Sequence, residues 1–319
     1  PSATAIINEG VIDVTYKGYD IKLSYIEEKI PQGIKYLYST GNIVDDQEKI
    51  LNFYVTSEYK MYAEVDGKTT CITDIYQELK DEKTFTIIGN GNESDKEYIL
   101  FFTKKKVYTL WISETEEWTL EKTIDIENLA EGKYKEKNIS YFLPLVDKEN
   151  GTIFFEDGTM YNIETKQEVS LENKIINFGV IMENENTQIV LIDSNGQMNK
   201  MTENGLESIN ETFQNGFFKD KKVTIAMPIS NKYITIVTND GIAYLIDINT
   251  NNMTCISDLN EELKEKKVTN IFNIGNGNFQ EDYIAIILEG DKAYYATQNL
   301  QELININING FPELHLKMS

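Results

Sequence analysis

Arginine is absent from this chain: all 30 of its basic side chains are lysine, and they face 52 aspartates and glutamates for a net charge of −22. Chemistry that grips a carboxylate or phosphate through a bidentate guanidinium fork is therefore excluded. Such an acidic surface also repels phosphate backbones and anionic headgroups, which argues against a nucleic-acid partner and against a membrane surface. Histidine occurs once, at His315, too little for a histidine metal site or a Ser-His-Asp triad. The two cysteines, Cys71 and Cys255, have neither a Cys-x-x-Cys partner nor a nearby histidine, so they point to neither zinc nor nucleophilic catalysis. No apolar run approaches the roughly 18 to 20 residues of a spanning helix, which argues against direct membrane insertion. No Pro/Ser-rich linker breaks the chain, so the expectation is one domain over residues 1–319.

What the chain does carry is a recurring phrase: an apolar run, a Gly/Asn/Asp turn, a second run with Tyr near its start, and another turn before a polar loop. The last apolar residues before the first turn are Ile7, Val55, Phe102, Phe155, Ile192, Val237 and Leu288, with gaps of 48, 47, 53, 37, 45 and 51 residues. Tyr62, Tyr108, Tyr161, Tyr244 and Tyr294 follow at a matching distance, and Met198 takes that position in the unit anchored at Ile192. Thr70-Cys71-Ile72-Thr73-Asp74 matches Thr254-Cys255-Ile256-Ser257-Asp258, and Gly89-Asn90-Gly91-Asn92 matches Gly275-Asn276-Gly277-Asn278. Each unit resolves into four strand-like runs; in the fifth these are Val223 to Ile229, Tyr233 to Val237, Ile242 to Ile248 and Met253 to Leu259. Turns such as Asn239-Asp240-Gly241 suit tight hairpins because they tolerate positive φ.

A four-stranded unit of roughly 40 to 50 residues is the period of a propeller blade. The N-terminal runs Ala3 to Ile7, Val11 to Tyr16 and Tyr19 to Ile26 match the second to fourth strands of a blade, and Phe311 to Met318 supplies its first. The sequence thus predicts an all-β, seven-bladed β-propeller of four-stranded antiparallel blades, its ring closed by N-terminal strands pairing with the C-terminal strand. Closure of that kind removes the exposed edge of a linear array; the alternative is six blades plus an N-terminal hairpin. Helix is expected only as short turns in 74–83, 125–137 and 258–267, each opening on an Asp. Cys71 and Cys255 share a position four repeats apart, which predicts two free, half-buried thiols on outer strands.

Ala243-Tyr244-Leu245-Ile246-Asp247-Ile248-Asn249-Thr250-Asn251 and Met160-Tyr161-Asn162-Ile163-Glu164-Thr165-Lys166 resemble the third-strand-and-turn phrase of quinoprotein-like and WD-like propeller repeats. The resemblance implies fold alone. No Trp-Asp dipeptide ends a strand, and there is neither a Gly-His pair nor an Ala-x-Asp-x-x-Thr-Gly phrase with a docking Trp.

Candidate site residues fall into two groups. Asp157, Asp193, Asp240 and Asp291, with Glu9, lie at or near second-to-third-strand turns; arrayed on one face they would suit Ca²⁺, a polyamine or a Lys-rich peptide, and otherwise they are ordinary hairpin residues. The apolar loop 209–222 carries Phe213, Phe217 and Phe218, and the loop 125–138 carries Tyr134. With Trp111 and Trp118, which flank an acidic turn, these aromatics are the candidate partner contacts; the plain alternative is that they pack under their loops or between blades. The functional expectation is a monomeric, non-catalytic module binding a protein or glycan, with no cofactor beyond Ca²⁺. A carboxylate-based glycan hydrolase or lyase in a central depression is the alternative. The chain begins at Pro1 rather than Met, which favours a trimmed N-terminus and a surface or exported location. Five Asn-x-Ser/Thr triplets, at Asn92, Asn138, Asn150, Asn210 and Asn252, are no more than an Asn-rich chain produces by chance.

Overall fold

A computed structural model describes residues 4–8, 11–16, 19–24, 34–44, 47–56, 58–65, 68–94, 96–112, 117–145, 147–183, 186–202, 205–228, 233–259, 264–274, 283–288, 292–297, 303–306 and 315–318. The protein is all-β and is built of four-stranded antiparallel sheets. It divides into two compact units, residues 84–267 and residues 1–83 with 268–319.

Unit 84–267 holds four sheets, each a meander in chain order. The 86–125 sheet comprises Thr86–Glu93, Lys96–Phe102, Lys106–Ile112 and Thr119–Asp125. Next come Ile139–Pro144, Gly151–Phe155, Thr159–Asn162 and Glu168–Ser170, then Ile175–Glu183, Asn186–Asp193, Met198–Thr202 and Gly205–Ser208. The last sheet has Val223–Pro228, Tyr233–Thr238, Ala243–Asp247 and Met253–Cys255. Burial explains the strand order. Second strands such as Tyr233–Thr238 are buried nearly throughout, whereas fourth strands such as Glu168–Ser170 are exposed. Continuous Ile/Val/Phe runs are what a strand covered on both faces requires.

Successive sheets of this unit pack face to face. Leu100, Phe142, Ile153, Phe154 and Leu191 belong to one core cluster, and Ile192, Phe218, Ile236 and Ile246 to another. Each such side chain contributes roughly 1.5–3 kcal/mol. The 175–208 and 223–255 sheets approach so closely that a Cβ on Gly179 would lie 2.2 Å from the Ala226 carbonyl oxygen. Asn177 Nδ2 donates to the Thr224 carbonyl at 3.3 Å across the same seam.

Every first strand in the unit is bulged near its start, after Ile87, Ile139, Ile175 and Val223. In each case a buried β-branched residue is followed by an extra residue that bends the strand, the usual geometric effect of a bulge. The turns between second and third strands clip onto the next sheet: Ile139 N–H donates to the Lys104 carbonyl and Val223 N–H to the Gly196 carbonyl.

In the other unit, Ile34–Val44, Gln47–Thr56, Met61–Val65 and Lys68–Cys71 form one sheet, and Val268–Ile274, Tyr283–Leu288, Lys292–Thr297 and Leu303–Ile306 another. Both repeat the bulge, after Ile34 and Val268. Thr4–Asn8, Val11–Tyr16 and Tyr19–Ser24 form a third meander, and His315–Met318 pairs with Tyr19–Ser24, His315 opposite Ser24. The C-terminal strand therefore takes the edge opposite the expected one: it is the fourth strand of this sheet, and the N-terminal runs are its first three.

Cys71 and Cys255 are free and half-buried at the ends of fourth strands, as expected. Burial pushes the Cys71 thiol above its ordinary value. Among the described residues, helix is short: Ile72–Ile75, residues 264–265 and single 3-10 turns such as Gln77–Leu79 and Ile256–Leu259. The 125–137 and 209–222 loops hold something else. Ala130, Glu131 and Gly132, and likewise Gln214, Asn215 and Gly216, all have positive φ, between 48° and 83°, forming a left-handed turn in each loop. No helix among the described residues is long and apolar enough to cross a membrane.

Candidate functional site

The left-handed turn at 214–216 walls a cavity of about 350 Å³ between the 175–208 and 223–255 sheets. Its floor is apolar, made by Met182, Ile234, Ile246 and Ile248 with Phe213. Thr212, Gln214, Asn215, Asn249 and Asn251 make the rim. Two features of local sequence place that rim. Asn is among the residues that adopt positive φ most readily, and both Asn215 and Asn251 do so. Asp247 accepts hydrogen bonds from the backbone N–H groups of Asn249 and Thr250 at 2.9 and 3.1 Å, which fixes the turn carrying Asn249 and Asn251. Gln214 Nε2 then donates to Asn251 Oδ1 at 2.6 Å, tying the two sides of the rim together.

The described lining carries no ionisable side chain, in a chain of net charge −22. Amides offer donors and acceptors in equal measure and carry no charge, so the cavity can pair with a neutral group that has both, over a floor that takes an apolar side chain.

One residue organises the loop behind this wall. Asn210 is fully buried; its carbonyl oxygen accepts from Met198 N–H at 2.7 Å and its amide donates to the carbonyls of Gly196, Phe218 and Lys221 at 3.1, 3.3 and 3.4 Å. An Asn-x-Thr triplet at that position is thus a packing device. Nothing in its local sequence distinguishes it from the exposed triplet at Asn252.

The aromatic candidates separate. Phe217 is 41% exposed, with Lys221 Nζ 4.9 Å from its ring centre. Phe213, Phe218 and Tyr134 are buried and therefore are not surface contacts: their loops fold over them. Phe218 packs edge-on to Tyr244 at 5.5 Å, and Tyr134 packs against Tyr161 at 4.8 Å. The recurring third-strand tyrosine is in both cases the surface onto which the preceding loop docks. The Tyr134 hydroxyl also donates to Glu168 at 2.5 Å, and burial, followed by that carboxylate, pushes its pKa up. Trp111 and Trp118 are half-buried, and Trp111 pairs in register with Thr119.

The described turn carboxylates, Asp157, Asp193 and Asp240, each have a local partner instead of a shared site. Among the described residues no three Asp, Glu, His or Cys side chains gather as a metal site. Asp193 is buried and consumed by its own turn, accepting from Asn195 N–H, Gln197 N–H and Asn199 Nδ2. Asp240 accepts from the Thr238 hydroxyl, and Asp157 is ion-paired with Lys137. Asp291 and Glu9 lie outside the described residues, as does the second Gly-Asn-Gly-Asn phrase.

Asp157 gives a pH prediction. Partial burial opposes its ionisation, yet Lys137 and the Thr159 N–H hold it down to about 2. A carboxyl whose folded pKa is depressed contributes stability that is present above its unfolded value and lost as pH falls through the folded one. Asp157→Asn should therefore lower the melting temperature at neutral pH, with the gap to the parent closing as pH drops from 4 toward 2. The pair is half-exposed, so the effect is a fraction of a kcal/mol, about what a surface pair supplies. A gap independent of pH would show that the pair contributes nothing.

No protein-family model matches the chain, and no curated protein matches it. Among solved structures, the chain is similar to BBS1N crystallised in complex with ARL6DN and soaked with lead, at 8% identity over 98% of this chain and 87% of that one, TM-score 0.49. It is also similar to YCF48 bound to D1 peptide, at 10% identity over 95% of this chain and 86% of that one, TM-score 0.48.

Proposed function

We propose that the protein is a non-catalytic binding module, a seven-bladed propeller in one domain, that takes an extended peptide segment of a protein partner in the cavity between its 175–208 and 223–255 sheets. The blade count rests on the sequence period, and the bulge that recurs at the start of the first strand in six of the sheets supports their equivalence. The observation that carries the binding reading is the uncharged amide rim over an apolar floor.

A peptide backbone presents N–H and C=O groups that Asn and Gln side chains pair with directly, while one apolar side chain fills a floor of isoleucines. A peptide is favoured over a glycan because Phe213, the one aromatic ring among the described lining residues, is buried and offers no open face for a sugar to stack on. Partner lysines outside the cavity would be drawn in by the acidic surface. The test is a displayed library of defined peptides, selected on the unaltered chain and rescored on Asn249→Trp, whose bulky side chain closes the mouth.

A further inference from the structure

A second site stands apart from that cavity, on the 86–125 sheet, and rests on different residues. Each of the four strands supplies one member: Glu93, Tyr98, Trp111 and Glu121. Tyr98 and Trp111 are cross-strand partners whose rings meet edge to face at 5.3 Å. Trp111 Nε1 donates to Glu121 Oε2 at 2.9 Å, which orients both. Gly91 makes the arrangement possible: a Cβ there would lie 2.4 Å from the Tyr98 ring, so only glycine lets the ring lie across the first strand. That accounts for one glycine of the Gly89-Asn90-Gly91-Asn92 phrase.

The space so enclosed already holds an ammonium. Lys148, from the loop between the first two strands of the next sheet, is 8% exposed, with Nζ 4.2 Å from the Trp111 ring centre and 5.8 Å from that of Tyr98. It lies 2.9 Å from Glu93 Oε2 and 3.6 Å from Glu121 Oε2. The loop does not need this contact for its own shape, because Asp147 accepts from the N–H groups of Glu149 and Asn150 and from Asn150 Nδ2. The carboxylate side opens to solvent, with Glu93 56% and Glu121 42% exposed.

The geometry points to an alkylammonium-binding cage, built by Tyr98, Trp111, Glu93 and Glu121 and occupied by the chain's own Lys148, into which a lysine side chain of a protein partner exchanges. Two aromatic faces supply cation–π attraction, and two carboxylates accept charge-assisted hydrogen bonds from ammonium N–H groups, which a quaternary ammonium lacks. A primary ammonium therefore fits better than a quaternary one. As a tethered competitor, Lys148 keeps free cations out until a partner offers its lysine at comparable effective concentration.

The test uses Lys148→Ala in a Trp118→Phe background, which leaves Trp111 as the sole tryptophan. n-Butylammonium, a lysine side-chain mimic, should change Trp111 fluorescence saturably and raise the melting temperature. Neutral 1-butanol should do neither, and adding Glu121→Gln should weaken the response roughly tenfold. No saturable response, or an equal response to 1-butanol, overturns the cage. Tetramethylammonium binding as tightly as n-butylammonium overturns the assignment to lysine. If Lys148→Ala does not fold, the unaltered chain with isotope-labelled lysine serves. The Lys148 ε-methylene, ring-shifted by Trp111, should move toward its free position with n-butylammonium on the order of 100 mM, above typical tethered concentrations. A resonance that does not move overturns exchange.

Discussion

Asn210→Ala should cost about 3 kcal/mol of unfolding free energy, read as a lower denaturant midpoint at unchanged slope. The side chain is fully buried and makes four hydrogen bonds to main-chain groups in two segments, 196–198 and 218–221. Truncation leaves the Met198 N–H without a partner inside the protein and opens a void beneath the loop, and each term is worth about 1–2 kcal/mol. Asn210→Asp should be at least as damaging at neutral pH, since a carboxylate would face three carbonyl oxygens. Protonation would restore a donor, so that variant should recover part of its stability in acid. Asn249→Ala, on the exposed rim, should stay within about 0.5 kcal/mol. A loss that small for Asn210→Ala would mean that the loop is held by its aromatic contacts alone.

Gly196→Ala should be comparably severe, at about 3 kcal/mol. Its φ of +79° costs an L-residue roughly 1–2 kcal/mol, and a Cβ would lie 2.3 Å from the Lys222 α-carbon, so the backbone must move as well. The displaced backbone includes the Gly196 carbonyl that accepts from Val223 N–H and from Asn210. Gly205 separates the two causes: its φ is also positive, but nothing lies within 4 Å of the added carbon. Gly205→Ala should show only the conformational cost, about 1 kcal/mol. If the two alanine variants melt alike, the close approach of the turn to the next sheet carries no energy. Because Gly196 and Asn210 touch, the double variant should lose less than the sum.

These two residues also mark the limit of what the sequence makes legible. Strands of the 223–255 sheet fall within a residue or two of their expected bounds, because hydrophobic runs and Asn/Asp/Gly turns are local signals. The fourth strand ends early, at Cys255, where the chain enters the turn Ile256–Leu259. Segment 125–137 reads as helix because Leu, Ala, Glu and Lys favour one. It turns left-handed because Gly132 and the docking of Tyr134 onto Tyr161 outweigh that preference, and only the glycine is visible in advance. Phe213 and Phe218 read as a contact patch because apolar residues in a loop attract attention, whereas the structure spends them on the next sheet. The bulges carry no composition signal beyond a β-branched residue. The cavity draws on residues from Met182 to Asn251 in four segments, and the ammonium cage spans Glu93 to Lys148, so both need the fold before they exist.

The measurement that bears most directly on the binding reading is the affinity of library-selected peptides for the unaltered chain and for Asn249→Trp, alongside both melting temperatures. Asn249 is exposed and its N–H, not its side chain, bonds to Asp247, so the substitution should leave folding intact while covering the mouth. The account predicts peptides sharing one apolar anchor residue, at least about tenfold weaker on the variant, a loss of 1.4 kcal/mol or more. Equal affinity on the two chains, or selection that yields no common peptide, would contradict it.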